Sequence, residues 1–213
     1  MLHDRDIREL LFDFLEERLG KIRVIEEKTM GRSRADIVMV LPEALAGIEI
    51  KSDADTYARL GRQVKDYDRY FDYNYVVVGS THAMHVGEHV PPYWGIISVE
   101  EMENGDKLDF YVVREAERNP HMEPEKKMKL LWRPELAHIQ EKNGMYKYAR
   151  ASKDFVRAKI LETVPQELLW KQFSEELFER DYTTIEQTLE EYRSTHSAKK
   201  RKGKKKKRKI GRS

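Results

Sequence analysis

"GRSRADIVMVLPEALAGIEIKSD", residues 31–53, puts an acid at the head of one apolar run, then a turn, then a second apolar run holding an acid and a lysine. Side chains alternate across a strand, so Asp36 shares a face with Val38 and Val40. Glu49 and Lys51 share a face likewise, while Ile48 and Ile50 point the other way. Pairing of the two runs as a hairpin around Pro42 stands Asp36 beside Glu49 at a strand end, with Lys51 within reach. Two carboxylates that converge in this way repel unless a cation lies between them. Hard oxygens without cysteine select Mg²⁺ or Mn²⁺ over zinc, and an adjacent lysine can hold a water or a developing charge. The competing reading is plain. Strand-end carboxylates commonly face solvent or pair with Lys or Arg, and E-x-K recurs by chance.

The flanking sequence supplies the rest of a sheet. Residues 4–19 place Ile7, Leu10, Leu11, Phe14 and Leu15 at helical spacing, and Gly20 ends the run. "KIRVIEEKTM" (21–30) predicts a strand before the hairpin. Residues 55–71 return to helical period through Leu60, Val64, Tyr67 and Phe71, and "YNYVVVGS" (73–80) reads as a buried central strand. "WGIISVEE" and "KLDFYVVRE" predict two more. The fold class is therefore α/β, with a core of helix, three strands, helix and strand over residues 1–116. Two prolines among the charges of 117–128 predict a linker. A helical subdomain over 129–196 follows, with helices near 133–142, 152–164, 166–179 and 183–194, and 197–213 is a basic, unfolded tail.

On the helix after the hairpin, Gln63 and Tyr67 are four apart and share a face. The series Asp36, Glu49-x-Lys51, Gln63-x-x-x-Tyr67 resembles the PD-(D/E)XK nuclease superfamily, in particular its RecB-like and lambda-exonuclease-like branch. It also resembles a family of short bacterial and phage proteins within that superfamily. The likeness spans roughly residues 4–80, with Ala35 where a proline or another small residue usually precedes the first acid. It implies a restriction-endonuclease-like core and a Mg²⁺- or Mn²⁺-dependent deoxyribonuclease. It implies, further, that Asp36, Glu49 and the Ile50 carbonyl hold the metal, with Glu17 chosen as the helix-one carboxylate and Glu16 and Asp13 as its competitors. Lys51 would position the attacking water or stabilise the pentavalent charge, and Gln63 and Tyr67 would orient Lys51 or touch the substrate. Arg34, Ser52, Arg59 and Arg62 are the neighbouring phosphate contacts. DNA rather than RNA comes from the resemblance alone; a homodimer is a separate expectation, since cutting two strands often uses two sites.

Composition sets the bounds. The chain has 213 residues, 37% of them charged and 39% hydrophobic, and no cysteine, so disulfides and thiolate metal sites are excluded. No apolar run approaches the roughly 20 residues of a bilayer span, and the acidic, amphipathic start is unlike a secretory signal. A cytoplasmic setting is the default expectation. The net charge of +2 hides an asymmetry, because residues 199–213 hold eleven Lys and Arg and no acid, leaving −9 for the remainder. Any attraction to polyanions is delegated to that tail, and the two readings of it are a tether acting through counterion release and a merely solubilising end.

Other signals are weaker. His82, His85 and His89 have metal-compatible spacing but read as part of a solvated loop. Residues 130–164 read as helix, extension, helix, with Leu136 and Ile139 answering Phe155, Ala158 and Ile160. Lys147, Arg150, Lys153 and Arg157 line the connection, which faintly resembles SAP-like nucleic-acid-binding modules. A plain helical subdomain explains the same pattern. The rival to a nuclease is a non-catalytic nucleic-acid-binding protein on a retained nuclease scaffold.

Overall fold

Six strands form one sheet whose spatial order is the chain order, β1 to β6. They are β1 (Arg23–Met30), β2 (Ser33–Val40), β3 (Leu45–Lys51), β4 (Tyr73–Gly79), β5 (Gly95–Glu101) and β6 (Leu108–Arg114). β1, β2 and β3 pair antiparallel, β3–β4 and β4–β5 are parallel, and β6 returns antiparallel. The computed structural model describes residues 4–51, 57–102 and 108–180, with side chains from residue 7 onward. The expected helix at 183–194 and the basic tail lie outside the described residues.

Period-two alternation divides the sheet into two faces. Ile37, Met39, Ala46, Ile48, Ile50, Val77, Ile97 and Val99 pack against Ile7, Leu11 and Leu15 of α1 (Asp4–Leu19). Those three helix residues are four apart, which puts them on one stripe. Leu10, expected in that stripe, is 41% exposed. Gly20, at φ 77°, ends α1 with its N–H on the Glu16 carbonyl.

The opposite face receives α2 (Leu60–Tyr70), which buries Leu60, Val64 and Tyr67. Gly47 of β3 makes that approach fit: a Cβ there would lie 2.6 Å from Tyr67 Cδ1 and closer still to Phe71 Cδ2. The β1–β2 turn docks on the same helix. Gly31 takes φ 56°, its N–H meets Tyr70 Oη at 3.2 Å, and Ser33 Oγ donates to Asp66 at 2.6 Å.

Residues 117–128, expected as a linker, are packed instead. Buried Asn119 donates to the Asp68 and Phe71 carbonyls at 2.7 Å each, closing the C-terminal end of α2. Lys127, fully buried at the end of α4 (Pro124–Lys127), donates to Asp72 at 2.6 Å and lies 4.0 Å from the Trp170 ring centre. Prolines and charges are common in linkers, but here the polar groups find buried partners. The segment accordingly belongs to the compact unit that extends to Phe178.

The helices α5 (Arg133–Lys142), α6 (Lys153–Thr163) and α7 (Gln166–Glu179) fall close to the expected spans. Leu136 and Ile139 are buried as expected, but on α6 the buried residues are Val156, Arg157 and Ile160, and Phe155 is 44% exposed. The segment holding His82 and His85 is also a correction. It forms α3 (Ser80–Val86), seated by buried Val86, where a loop was expected.

Candidate functional site

The ladder between β2 and β3 runs from Val40–Leu45 to Ile37–Ile48 and stops. β3 stays paired with β4 as far as Lys51–Val78, and β2 with β1 as far as Ser33–Met30. The sheet is therefore split between β2 and β3 at the level of Asp36 and Glu49. Backbone groups freed by such a split need partners, and side chains supply them. The Asp36 carboxylate accepts the Ile50 N–H at 2.9 Å. The Tyr67 hydroxyl accepts the Asp36 N–H at 3.3 Å and stands 3.1 Å from the Ile48 carbonyl.

Around that split the side chains form one connected set. Glu49, 1% exposed, accepts from Lys51 Nζ at 2.6 Å and from Gln63 Nε2 on one oxygen, and from Tyr67 Oη at 2.7 Å on the other. Lys51 Nζ also donates to Gln63 Oε1 at 3.1 Å. Gln63 and Tyr67 reach the same carboxylate because they are one helical turn apart. Burial first, then the charges of Glu49 and Asp36, raise the Tyr67 pKa well above that of an ordinary phenol. Tyr67 thus stays a neutral hydrogen-bond donor.

The expected repulsion between Asp36 and Glu49 is answered by two cations. Lys51 serves Glu49, and Arg8 of α1 lies 3.9 Å from Asp36 Oδ1 while donating to Glu26 at 3.1 Å and to the Asp36 carbonyl at 3.5 Å. Sequence reading missed Arg8. Its signal was present, since an arginine three and seven residues before Leu11 and Leu15 sits in the apolar stripe of α1. A cavity of about 340 Å³ opens on the set, lined by Asp36, Glu49, Ile50, Lys51 and Gln63, and by Arg32, Arg34, Arg59 and Arg62. Arg32 was also missed.

Among the described residues no three His, Asp or Glu side chains converge as a ready metal cage. Two carboxylates do line the cavity, and hard oxygens of that kind suit a small divalent cation that completes its shell with water and substrate phosphate. The donor set fits a cation shared with a ligand.

The other expected site residues divide. Arg34, Arg59 and Arg62 are exposed at the cavity, with Arg34 also donating to Glu27 at 3.0 Å. Ser52 lies outside the described residues. Glu17 is exposed and does not line the cavity; it lies nine residues, about 13 Å along the helix axis, beyond Arg8. Lys147, Arg150 and Lys153 are exposed, on and beside the connection between α5 and α6.

Arg157 corrects the expectation of a nucleic-acid contact. It is 9% exposed and donates to the Met128, Lys129 and Leu131 carbonyls and to Asp154 at 2.8 Å. Its guanidinium is committed inside the protein. The histidines form no metal group either: His82 Nδ1 is 3.3 Å from Tyr57 Oη, and His89 stacks on the Tyr57 ring at 4.3 Å.

A family model described as Bacteriophage P4 protein cII matches residues 2–203. The chain belongs to that family. No curated protein matches this member of it. Among solved structures, SfsA of Pyrococcus furiosus in complex with Ca²⁺ is similar at 15% identity, with a TM-score of 0.36. The match covers 53% of the cII-family chain and 63% of the archaeal one, so this chain spans less than two thirds of its length. At that score two chains need not share a fold. Among the described residues no helix is long and apolar enough to cross a membrane.

Proposed function

We propose that this protein is a metal-dependent nuclease that hydrolyses phosphodiester bonds, with DNA as its substrate, on a restriction-endonuclease-like core. The observation that supports this reading most is the split between β2 and β3. It brings Asp36, Glu49 and Lys51, held by Gln63 and Tyr67, to the wall of a cavity edged by four arginines. Asp36, Glu49 and the Ile50 carbonyl would hold Mg²⁺ or Mn²⁺, which when bound supplies Lewis acidity toward the phosphate and acidifies a water.

The chain's own groups supply orientation and charge. Lys51 Nζ donates two of its three protons to Glu49 and Gln63, and the third would serve a phosphate oxygen or the attacking water in the cavity that Lys51 lines. Tyr67, kept protonated by burial, fixes the second oxygen of Glu49. Arg32, Arg34, Arg59 and Arg62 would bind the backbone phosphates on either side. Each site carboxylate already has a cationic neighbour, so the metal is expected to bind weakly alone and more tightly with nucleic acid present.

Labelled DNA and RNA incubated with Mg²⁺, Mn²⁺ or EDTA test the reading. Metal-dependent cleavage that falls on the order of a hundredfold or more in Lys51→Ala, with binding retained, is the expected result. Binding without cleavage under any metal would return the protein to the rival class, a nucleic-acid-binding scaffold.

A further inference from the structure

The connection between α5 and α6 holds a ladder of aromatic rings that the proposed cleavage site does not use. Tyr146 meets Tyr148 edge to face at 5.2 Å, and Tyr148 meets Phe155 in the same manner at 5.2 Å. Tyr146 is 76% exposed and Phe155 44%. Rings of this size are normally buried, because each carries a large apolar surface.

The segment that bears them is fastened in place. Gln140 Nε2 donates to the Tyr146 carbonyl at 2.7 Å, and the Met145 N–H donates to the Gln140 carbonyl at 2.8 Å. Arg133 donates to the Tyr148 and Ala151 carbonyls, and Ser152 caps α6 by accepting the Phe155 N–H at 3.2 Å. The rings therefore project from a held backbone. Over residues 145–155 the charged side chains are Lys147, Arg150, Lys153 and Asp154, and the single acid is bound by Arg157.

We propose that this ladder is a binding site for single-stranded nucleic acid, with unpaired bases stacking on Tyr146 and Phe155 and phosphates running past Lys147, Arg150 and Lys153. Exposed rings interleaved with cations match the two faces of an unpaired strand, apolar bases and an anionic backbone. A duplex keeps its bases stacked inside and offers these rings nothing comparable. The site shares with the proposed function only the class of ligand, and it would act whether or not the protein cuts.

The test is fluorescence anisotropy of labelled oligo(dT), oligo(U) and a matched DNA duplex with the full chain in EDTA. Tyr146→Ala and Phe155→Ala should each weaken binding of the single strands by on the order of tenfold. Tyr146→Phe should bind like the unaltered protein, and duplex binding should be unchanged by all three. Tyr146 is exposed enough that its removal leaves the fold intact, which near-ultraviolet dichroism checks. Equal losses on duplex and single strand would overturn the proposal, and so would oligo(dT) affinity indifferent to both rings. Dissociation of a self-associated protein by Tyr146→Ala, with oligonucleotide affinity unchanged, would assign the ladder to a second copy of the chain. Adding Mg²⁺ or Mn²⁺ to the same samples separates the two readings. Ring-dependent binding without cleavage refutes the nuclease alone, and cleavage with ring-independent binding refutes the ladder alone.

Discussion

Glu49 is the residue on which the site's stability turns. It takes hydrogen bonds from Lys51, Gln63 and Tyr67 while 1% exposed. Removing one member of a buried charged pair leaves the other uncompensated, a loss of about 3 kcal/mol or more. Glu49→Ala should therefore lower the urea midpoint clearly in metal-free buffer, and Glu49→Gln, which retains an acceptor for Tyr67, should lower it less. Sequence alone suggests the opposite sign, since two bare carboxylates side by side would gain from losing one. The alternation of residues 36–51 and the four-residue step from Gln63 to Tyr67 made the convergence of these four side chains and Asp36 legible. What sequence could not carry was the partner of Arg8, which lies 28 residues on and is met only through packing of α1. It also hid the position of the Tyr67 hydroxyl between two parting strands.

Among the elements, the short segments after the sheet are tied together by Arg157. Counting it as a surface cation follows from its neighbours Lys147, Arg150 and Lys153, but it lies on the buried stripe of α6 with Val156 and Ile160. Its guanidinium ties the carbonyls of Met128, which starts the 3-10 turn Met128–Leu130, and of Leu131, just beyond it, to that helix. Arg157→Ala should thus cost about 3 kcal/mol of stability, as expected when several carbonyls are deprived of a charged donor. Nucleic-acid affinity of the folded fraction should hardly change. Thermal unfolding paired with anisotropy checks both halves, and a stable variant with weakened binding would restore the surface reading. Residues 117–128 differ from a linker for a related reason: composition reports polarity, whereas the partners of Asn119 and Lys127 lie on α2 and its following loop, about fifty residues earlier.

Across the whole molecule, charge is distributed unevenly. Deleting 199–213 removes eleven positive charges from a net +2 and leaves −9. If this run tethers polyanions, affinity for duplex DNA should drop and its salt dependence flatten, because each phosphate that a cation neutralises adds roughly 0.9 to the slope. Turnover at saturating substrate should persist, because the proposed chemistry belongs to residues 36–67. Melting temperature should barely move, since so charged a run has little apolar surface to bury. Unchanged affinity and an unchanged salt slope in the truncated protein would transfer the electrostatic work to the arginines of the cavity and the basic residues near Tyr146.

The sheet whose spatial order repeats its chain order also bears on synthesis. Each strand that leaves the ribosome finds its neighbour already made, so the antiparallel pairings close local hairpins and the parallel ones close only the single-helix crossovers through α2 and α3, at modest entropic cost. The five side chains around the split all belong to the early part of the chain, whereas Asn119 and Lys127, which fasten the end of α2 and Asp72 just beyond it, emerge only after β6. A nascent chain that has reached residue 116 would hold the complete set with its helix still untied at one end. Folding of this protein would finish by a late locking step, remote in sequence from the groups it steadies.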